Sequence, residues 1–293
     1  MSNQKEQSNN TTQTDAQRPS GLLAKLRTMP NESGAKMLIV TISLCFVCAI
    51  IVSSTAIKLR PLQEANKALE KNRVILEAAG LLEDENTDDI QALFDRLVEV
   101  RIVDLDSGDY VDTSDDPKAP DPKTYDQRKA AKDPTRNYPI PKKRDVARIK
   151  QRAREANVYL VRRQGRLQNL ILPVHGYGLW STMYGFLAFD ADINTITGLS
   201  FYEHAETPGL GGEIDNPKWR TRWVGKLAHD KQGSPRLEVI KGRVDPSRSG
   251  AIHRVDGISG ATLTSKGVSN MVHYWLGDNG FGGYLAKLRT NSG

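Results

Sequence analysis

Cysteine is almost missing from this sequence. Two residues among 293, Cys45 and Cys48, exclude a disulfide-stapled scaffold and a four-thiolate metal site built by one chain. Aromatic residues make up only 6%, and with a mean hydropathy of -0.50 the chain is not a polytopic membrane protein. No G-x-G-x-x-G follows a strand-like run, so a nicotinamide dinucleotide has no fingerprint here. No serine sits in a G-x-S-x-G elbow; Ile258-Ser259-Gly260 lacks the first glycine at the required spacing, which argues against a serine hydrolase. Neither sign of charge dominates: 41 basic residues face 35 acidic ones, for a net charge of +6. No whole-molecule field points to nucleic acid, and no aromatic stacking platform accompanies the basic residues, so no nucleic-acid partner is expected.

Against these absences stands one long apolar run. Residues 37–57 hold 21 positions without a charge. As a helix they span roughly 31 Å, close to the ~30 Å of a bilayer's hydrocarbon. A cleaved signal peptide is the competing reading, with Ser53, Ser54, Thr55 and Ala56 as a mimic of a cleavage site. The 36 residues before the run and its length favour a membrane anchor. Basic flanks leave orientation open: Lys25, Arg27 and Lys36 precede the run, whereas Lys58, Arg60, Lys67, Lys71 and Arg73 come after it. Counted naively this keeps the large C-terminal part in the cytoplasm, but long domains translocate largely regardless of such counts. Both cysteines lie within the run, as two small polarizable residues facing lipid or as part of a site shared with a partner.

Residues 1–36 are rich in Asn, Gln, Ser and Thr without apolar periodicity, and read as a disordered tail. Residues 58–103 read as a helical stalk: one helix over 63–82 ending near Gly80, and a second capped by Thr87 with the face Ile90, Leu93, Phe94, Leu97 and Val98. Residues 104–156 read as an insertion or loop, since six of the fourteen prolines fall between Pro117 and Pro141. The basic run beyond it, Lys142 to Arg154, reads as helix-like. It is either a phospholipid or nucleic-acid patch or a solvated face countering the acids from Asp104 to Asp116. From 157 to 293 short strands are expected at 158–161, 170–174, 185–190, 196–202 and 237–240. The fold class is therefore α+β, a single N-terminal membrane helix followed by a mixed, mainly antiparallel domain.

The stretch with chemical promise is Asp256 to Ser265, DGISGATLTS, small and hydroxylated, opening a helix whose face is Val268, Met271, Val272, Trp275 and Leu276 and whose end is Gly277. A helix N-terminus presents unpaired N–H groups and the positive end of the dipole, which suits a phosphate. Gly257 and Gly260 allow close backbone approach. Plain capping by Ser259 or Thr264, with no ligand, remains the alternative.

DGISGAT resembles the flavinylation signature of FMN-binding domains: Asp, two variable residues, Ser or Thr, then Gly-Ala-Thr. A second block, Glu203 to Gly211 (EHAETPGLG), is similar to the E-T-P-G-L-G loop bordering the flavin in these domains. The N-terminal anchor, the turn Gly176 to Trp180 (GYGLW) and the tail WLGDNGFG are most similar to the C subunits of the sodium-translocating NADH:quinone reductases. The corresponding flavoprotein of Rnf-type ferredoxin:NAD oxidoreductases is the nearer alternative, and a cofactor-free, membrane-anchored binding module the more distant one.

The resemblance implies FMN joined through its phosphate to the Thr262 hydroxyl, with Asp256, Ser259, Gly260, Ala261, Leu263 and Thr264 around it. It further implies Glu206 and Thr207 as polar neighbours of the flavin and Leu210 and Trp180 as walls of its ring. For Glu206 a plain surface turn is the other reading. Lys266 either offsets the phosphate or is merely solvated, and Lys218 to Trp223 is either a partner interface or internal packing. Nothing in the sequence builds a base beside Thr262, with His253 nine positions upstream; a separate flavin transferase using FAD and magnesium is implied, reading Asp256 and the Gly-Ala-Thr step. No catalytic residue and no metal are expected, His204 and His253 lacking a third ligand. The implied role is that of an electron carrier among other subunits of a membrane oxidoreductase, in a bacterial inner membrane, the large domain periplasmic.

Overall fold

A computed structural model describes residues 30, 33–82, 89–112 and 119–291. Most of the expected N-terminal tail, Thr87 as a cap, and Pro117 lie outside the described residues, while residues 34–36, read as tail, are helical. The chain divides into two compact units, residues 1–64 and 65–293.

In the first unit the apolar run is helical, part of α1 (Gly34–Ala78), which is long and apolar enough to cross a membrane. The apolar side chains of the run are exposed apart from the half-buried Ile39, Phe46 by 68% and Val52 by 67%, so no protein core claims them. Cys45 and Cys48 are exposed among them. The helix continues through Pro61 and does not break into a span and a separate 63–82 helix. Proline there forfeits one backbone hydrogen bond, which neighbouring residues of high helix propensity offset.

The second unit is built on one antiparallel sheet. After α2 (Ile90–Leu97) come β1 (Val98–Asp104), the short α3 (Gln127–Ala130), and the pair β2 (Asn137–Pro139) and β3 (Gln151–Ala153). A meander comes next: β4 (Glu155–Arg163), β5 (Arg166–Tyr177), β6 (Thr182–Asp190) and β7 (Ile196–Glu203). The sheet order is β1-β4-β5-β6-β7, every pairing antiparallel. Gln164 and Gly165, with φ of 52° and 77°, make the two-residue turn whose twist suits a tight hairpin between β4 and β5.

Alternation along the strands feeds two cores. Leu170, Leu172 and Val174 of β5 face the larger one, beneath α5 (Thr262–Leu276) and α6 (Gly282–Asn291). Ile171 faces the other, where Val74, Ile75 and Leu76 at the end of α1 and Leu93 and Phe94 of α2 cover the sheet. α2 is capped by Asp89, whose carboxylate accepts from the Ala92 N–H at 3.0 Å.

Two further parts of the sequence reading differ from the structure. Val98–Asp104 is no stalk helix; it pairs along its whole length with β4, so the sheet domain begins well before residue 157. The basic run is not helical either. The Asp145 carboxylate accepts from the N–H groups of Ile149 and Lys150, both at 2.8 Å, and closes a loop. Arg152 and Arg154 then turn onto Asp106, at 2.6 and 3.5 Å, so these two take the charge-countering role, while Lys142, Lys143, Arg144, Arg148 and Lys150 are exposed.

Candidate functional site

The parallel pair β8 (Glu238–Val239) and β9 (Arg254–Val255) delivers the chain to the turn before α5. The buried face of α5 is the expected one, Val268, Met271, Val272, Trp275 and Leu276. Its N-cap is Ala261, and no side chain caps it. Neither Ser259 nor Thr264 takes that part: Ser259 is exposed, and the fully buried Thr264 donates its hydroxyl to Glu206 at 2.5 Å. The first-turn N–H groups and the dipole's positive end are thus free of a side-chain competitor.

Thr262 is the first residue of α5 and is exposed. It lines a cleft of about 270 Å³ between Ser265, Lys266, Ser269, Asn270 and His273 of the helix and the strap Glu238–Gly242. Leu263 beside it is 60% exposed. Gly260 has φ +73°, and the space its side chain would take is filled by Leu210, whose methyl carbon lies 2.9 Å from an added Cβ. Leu210 itself is 45% exposed, bringing the TPGLG loop against the turn. Thr207 contributes through its backbone, its carbonyl accepting from the N–H groups of Leu210 and Gly212 at 3.1 and 2.8 Å.

Glu206 is no surface carboxylate. It is 4% exposed, and besides the Thr264 hydroxyl it accepts from the backbone N–H groups of Leu179 and Trp180, each at 3.0 Å, and of Ser181 at 3.4 Å. Burial alone would raise its pKa. The Thr264 hydroxyl and these three N–H donors together outweigh that and hold it below the usual carboxylate value. Gly211 must be glycine here, since a Cβ would meet the Thr264 hydroxyl at 2.6 Å and the carboxylate at 2.8 Å. The carboxylate thereby fixes the 178–181 turn, from which Trp180 stands 64% exposed. Trp180, Leu210 and Leu263 are thus large apolar side chains left exposed, the kind of surface that accompanies binding sites.

Asp256 points away from the Thr262 cleft. Its carboxylate accepts from the Val244 N–H at 2.7 Å and pairs with Arg222. Trp219 and Trp223 are buried and edge-to-face at 5.5 Å, so the two rings of the 218–223 stretch are internal packing, while Lys218, Thr221 and Arg222 are exposed between them. Lys266 is exposed on the cleft. His204 and His253 are engaged separately, His204 Nε2 with Asp215 at 2.6 Å and His253 Nδ1 with the Leu227 carbonyl at 2.8 Å.

Reading the sequence gave no site role to Arg222, which it took only with the 218–223 stretch, or to the strap, of which it expected only a strand at 237–240, and it missed Ser181 and the His204–Asp215 pair. Only the last carries a local signal, two polar residues bracketing the TPGLG loop. A larger cleft, about 720 Å³ and lined by Tyr159, His175, Tyr184 and Tyr202 among others, contains no residue of the 256–264 turn.

Residues 178–277 match the model of the FMN-binding domain family. The chain is 50% identical over 259 residues to the C subunit of the Na(+)-translocating NADH-quinone reductase of Pseudomonas aeruginosa, covering 88% of this chain and 97% of the relative. The Vibrio vulnificus protein of the same name is 46% identical, covering 88% and 97%. Among solved structures, Shewanella oneidensis NqrC superimposes with a TM-score of 0.69 at 35% identity, covering 77% of this chain and 99% of that one. The equivalent protein from Parabacteroides distasonis gives 0.57 at 28%, covering 78% and 96%. The uncapped helix start with its glycine-bearing turn, the fold around it and these likenesses lead to one conclusion: the chain belongs to the NqrC family, the C subunits of the Na⁺-translocating NADH-quinone reductases, and so to the parts of an oxidoreductase complex.

Proposed function

We propose that this chain is an electron-carrying flavoprotein subunit of a sodium-pumping NADH:ubiquinone oxidoreductase, holding FMN through a phosphoester to Thr262. One observation carries the reading: α5 starts without a side-chain cap, at an exposed threonine, beside an apolar wall braced from beneath by Glu206. The hydroxyls of the turn are not equivalent. Thr264 is buried and committed to Glu206, and the buried Ser265 accepts from the Ile258 N–H at 3.2 Å. The Thr262 hydroxyl, on an exposed residue, is the one left in the first turn of α5 to bond phosphorus and lose its proton as the ester forms.

FMN, when bound, supplies the capacity to take and pass electrons singly. The chain's own residues do the rest. The first-turn N–H groups of α5 and its dipole stabilise the phosphate's charge. Leu179, Trp180, Leu210 and Leu263 present apolar surface to a ring system, and Glu206 fixes the turn that bears two of them. Covalent attachment keeps the group on this protein through repeated turnovers. Maturation belongs to a separate flavin transferase, and exchange of electrons to the other subunits of the complex. The large domain lies in the periplasm, anchored by α1 in the bacterial inner membrane, with the N-terminal tail in the cytoplasm; protease added to spheroplasts then degrades the domain and spares the tail.

The direct test is flavin fluorescence in a denaturing gel after co-expression with a flavin transferase. Wild type glows in the protein band and Thr262→Val does not. A dark wild-type band would favour the cofactor-free module.

A further inference from the structure

We propose that Arg222 is a positioning residue for flavin attachment: acting through Asp256, it clamps the far end of the 238–244 strap, whose nearer part lies beside Thr262. The inference rests on the reading that Thr262 takes the FMN phosphate, and concerns how the acceptor turn is held.

Asp256 is engaged within its own chain through both carboxylate oxygens and its backbone carbonyl. One carboxylate oxygen accepts from the Val244 N–H at 2.7 Å and the other pairs with the Arg222 guanidinium. Its backbone carbonyl accepts from Trp219 Nε1–H at 2.9 Å. The next residue continues the lacing. The Gly257 N–H donates to the Gly242 carbonyl at 2.8 Å, and a Cβ at Gly257 would lie 2.3 Å from the Ile240 carbonyl, so any side chain there would push the strap away. Upstream, Ile240 N–H donates to the Val255 carbonyl at 2.9 Å, and Val239 N–H to Ser269 Oγ on α5 at 2.8 Å. The strap is thus stitched to α5 at one end, to β9 in the middle and to the Asp256 carboxylate at the far end. Its Glu238–Gly242 portion is the wall facing Thr262.

Arg222 is suited to hold that last fastening. It projects from a turn whose neighbours Trp219 and Trp223 are 6% and 0% exposed, so its base is rigid, while its own side chain is 42% exposed and carries none of the core. Two nearby cations are committed elsewhere: Lys226 donates to the Ala251 carbonyl at 3.0 Å and Arg254 pairs with Glu238 at 3.1 Å. Neither is placed to take over. A charge-assisted pair of this kind fixes orientation more firmly than a neutral contact. The first residue of the DGISGAT signature therefore serves the geometry of the acceptor turn from within, and Arg222, which lies outside the signature, is required for it.

Two measurements test this on the full-length chain, purified without flavin from cells lacking the transferase. The first is transfer from FAD by a purified magnesium-dependent flavin transferase, followed as covalent fluorescence and as the mass of the Thr262 peptide. Arg222→Gln is expected to lower the transfer kcat by about tenfold with the KM for the acceptor chain little changed, at an unaltered melting temperature, and Arg222→Lys to restore most of it. Arg222→Gln transferring at the wild-type rate while Asp256→Asn fails would overturn the clamp, and would mean that the transferase reads Asp256 directly. The second measurement needs no flavin: amide exchange at Val244 should quicken in Arg222→Gln, and unchanged protection there refutes the clamp. Absence of flavin from Thr262 in the wild-type chain is a separate result, sinking the attachment reading and with it the first experiment's premise, while the Val244 amide still decides the clamp.

Discussion

Glu206 offers the sharpest test of how the site is held together. Replacing it with Ala removes the acceptor for the Thr264 hydroxyl and for three backbone N–H groups at once. These donors do not suffer equally. Leu179 and Trp180 are 38% and 64% exposed, so their amides regain water, whereas Thr264 is fully buried and its hydroxyl does not. A buried donor left unpaired costs about 1–3 kcal/mol, and a lost bond to a charged group about 1.5–3. With partial rehydration of the turn, the expected loss is about 2–4 kcal/mol, a fall in Tm of about 5–15 °C for a domain of this size. Glu206→Gln keeps one carbonyl acceptor and most of the volume, and should lose about half as much. The pH dependence separates the two roles of the carboxylate. Its folded pKa lies below the ordinary 4.5, so its contribution is full above that value and disappears as pH falls through the lower folded one. The wild type should therefore lose stability in that acid window, and Glu206→Gln should lack that component. Thermal melting of the detergent-solubilised chain between pH 3 and 7 reads both effects. A Glu206→Ala melting curve within ~1 °C of wild type at pH 7 would refute the reasoning.

The remaining predictions concern neighbouring groups. Thr264→Val should keep covalent flavin in the gel assay while lowering stability by about 1–2 kcal/mol, because it removes one hydroxyl donor to Glu206 without opening a cavity; loss of the fluorescent band together with unchanged stability would move the ester to that residue. Asp215→Asn should lower the His204 pKa, whose rise comes first from the hydrogen bond to Asp215. In the wild type that pair's stabilisation is full below the unfolded His value of about 6.5 and is lost as pH rises through the higher folded one. An NMR titration of the His204 ring that is identical in both proteins would show that the pair does not form in solution.

How far the sequence disclosed this site depends on the range of the interaction concerned. Strands such as 170–174 and 196–202 alternate or run apolar within a few residues, and α5 carries a clean helical stripe behind a glycine-bearing turn; both were legible locally. The bond between Thr264 and Glu206 joins residues 58 apart, and nothing near either one declares the other. The same holds for Arg222 and Asp256, 34 apart. Asp256 was legible as important through its motif, yet its partners lie within its own chain. The strand Val98–Asp104 was concealed by the preceding helix, whose apolar face runs straight into it at Val98, and by a partner more than fifty residues away. Prolines between 117 and 141 signalled an insertion, but Arg152 on Asp106 and Tyr125 Oη–H on the Glu155 carbonyl show that the flanks of that stretch fasten onto β4 and its approach.

The place of β1 at the margin of the sheet has a practical consequence. A soluble fragment started just after it would strip β4 of its neighbour and bare a row of backbone donors and acceptors, an invitation to pair with another molecule. It would also discard the end of α1 and α2, uncovering Tyr159, Ile171 and Phe186. Trimming that removes the apolar anchor should therefore cut near residue 65, because the polypeptide from there onward is already masonry of the flavin-bearing half and no mere cord.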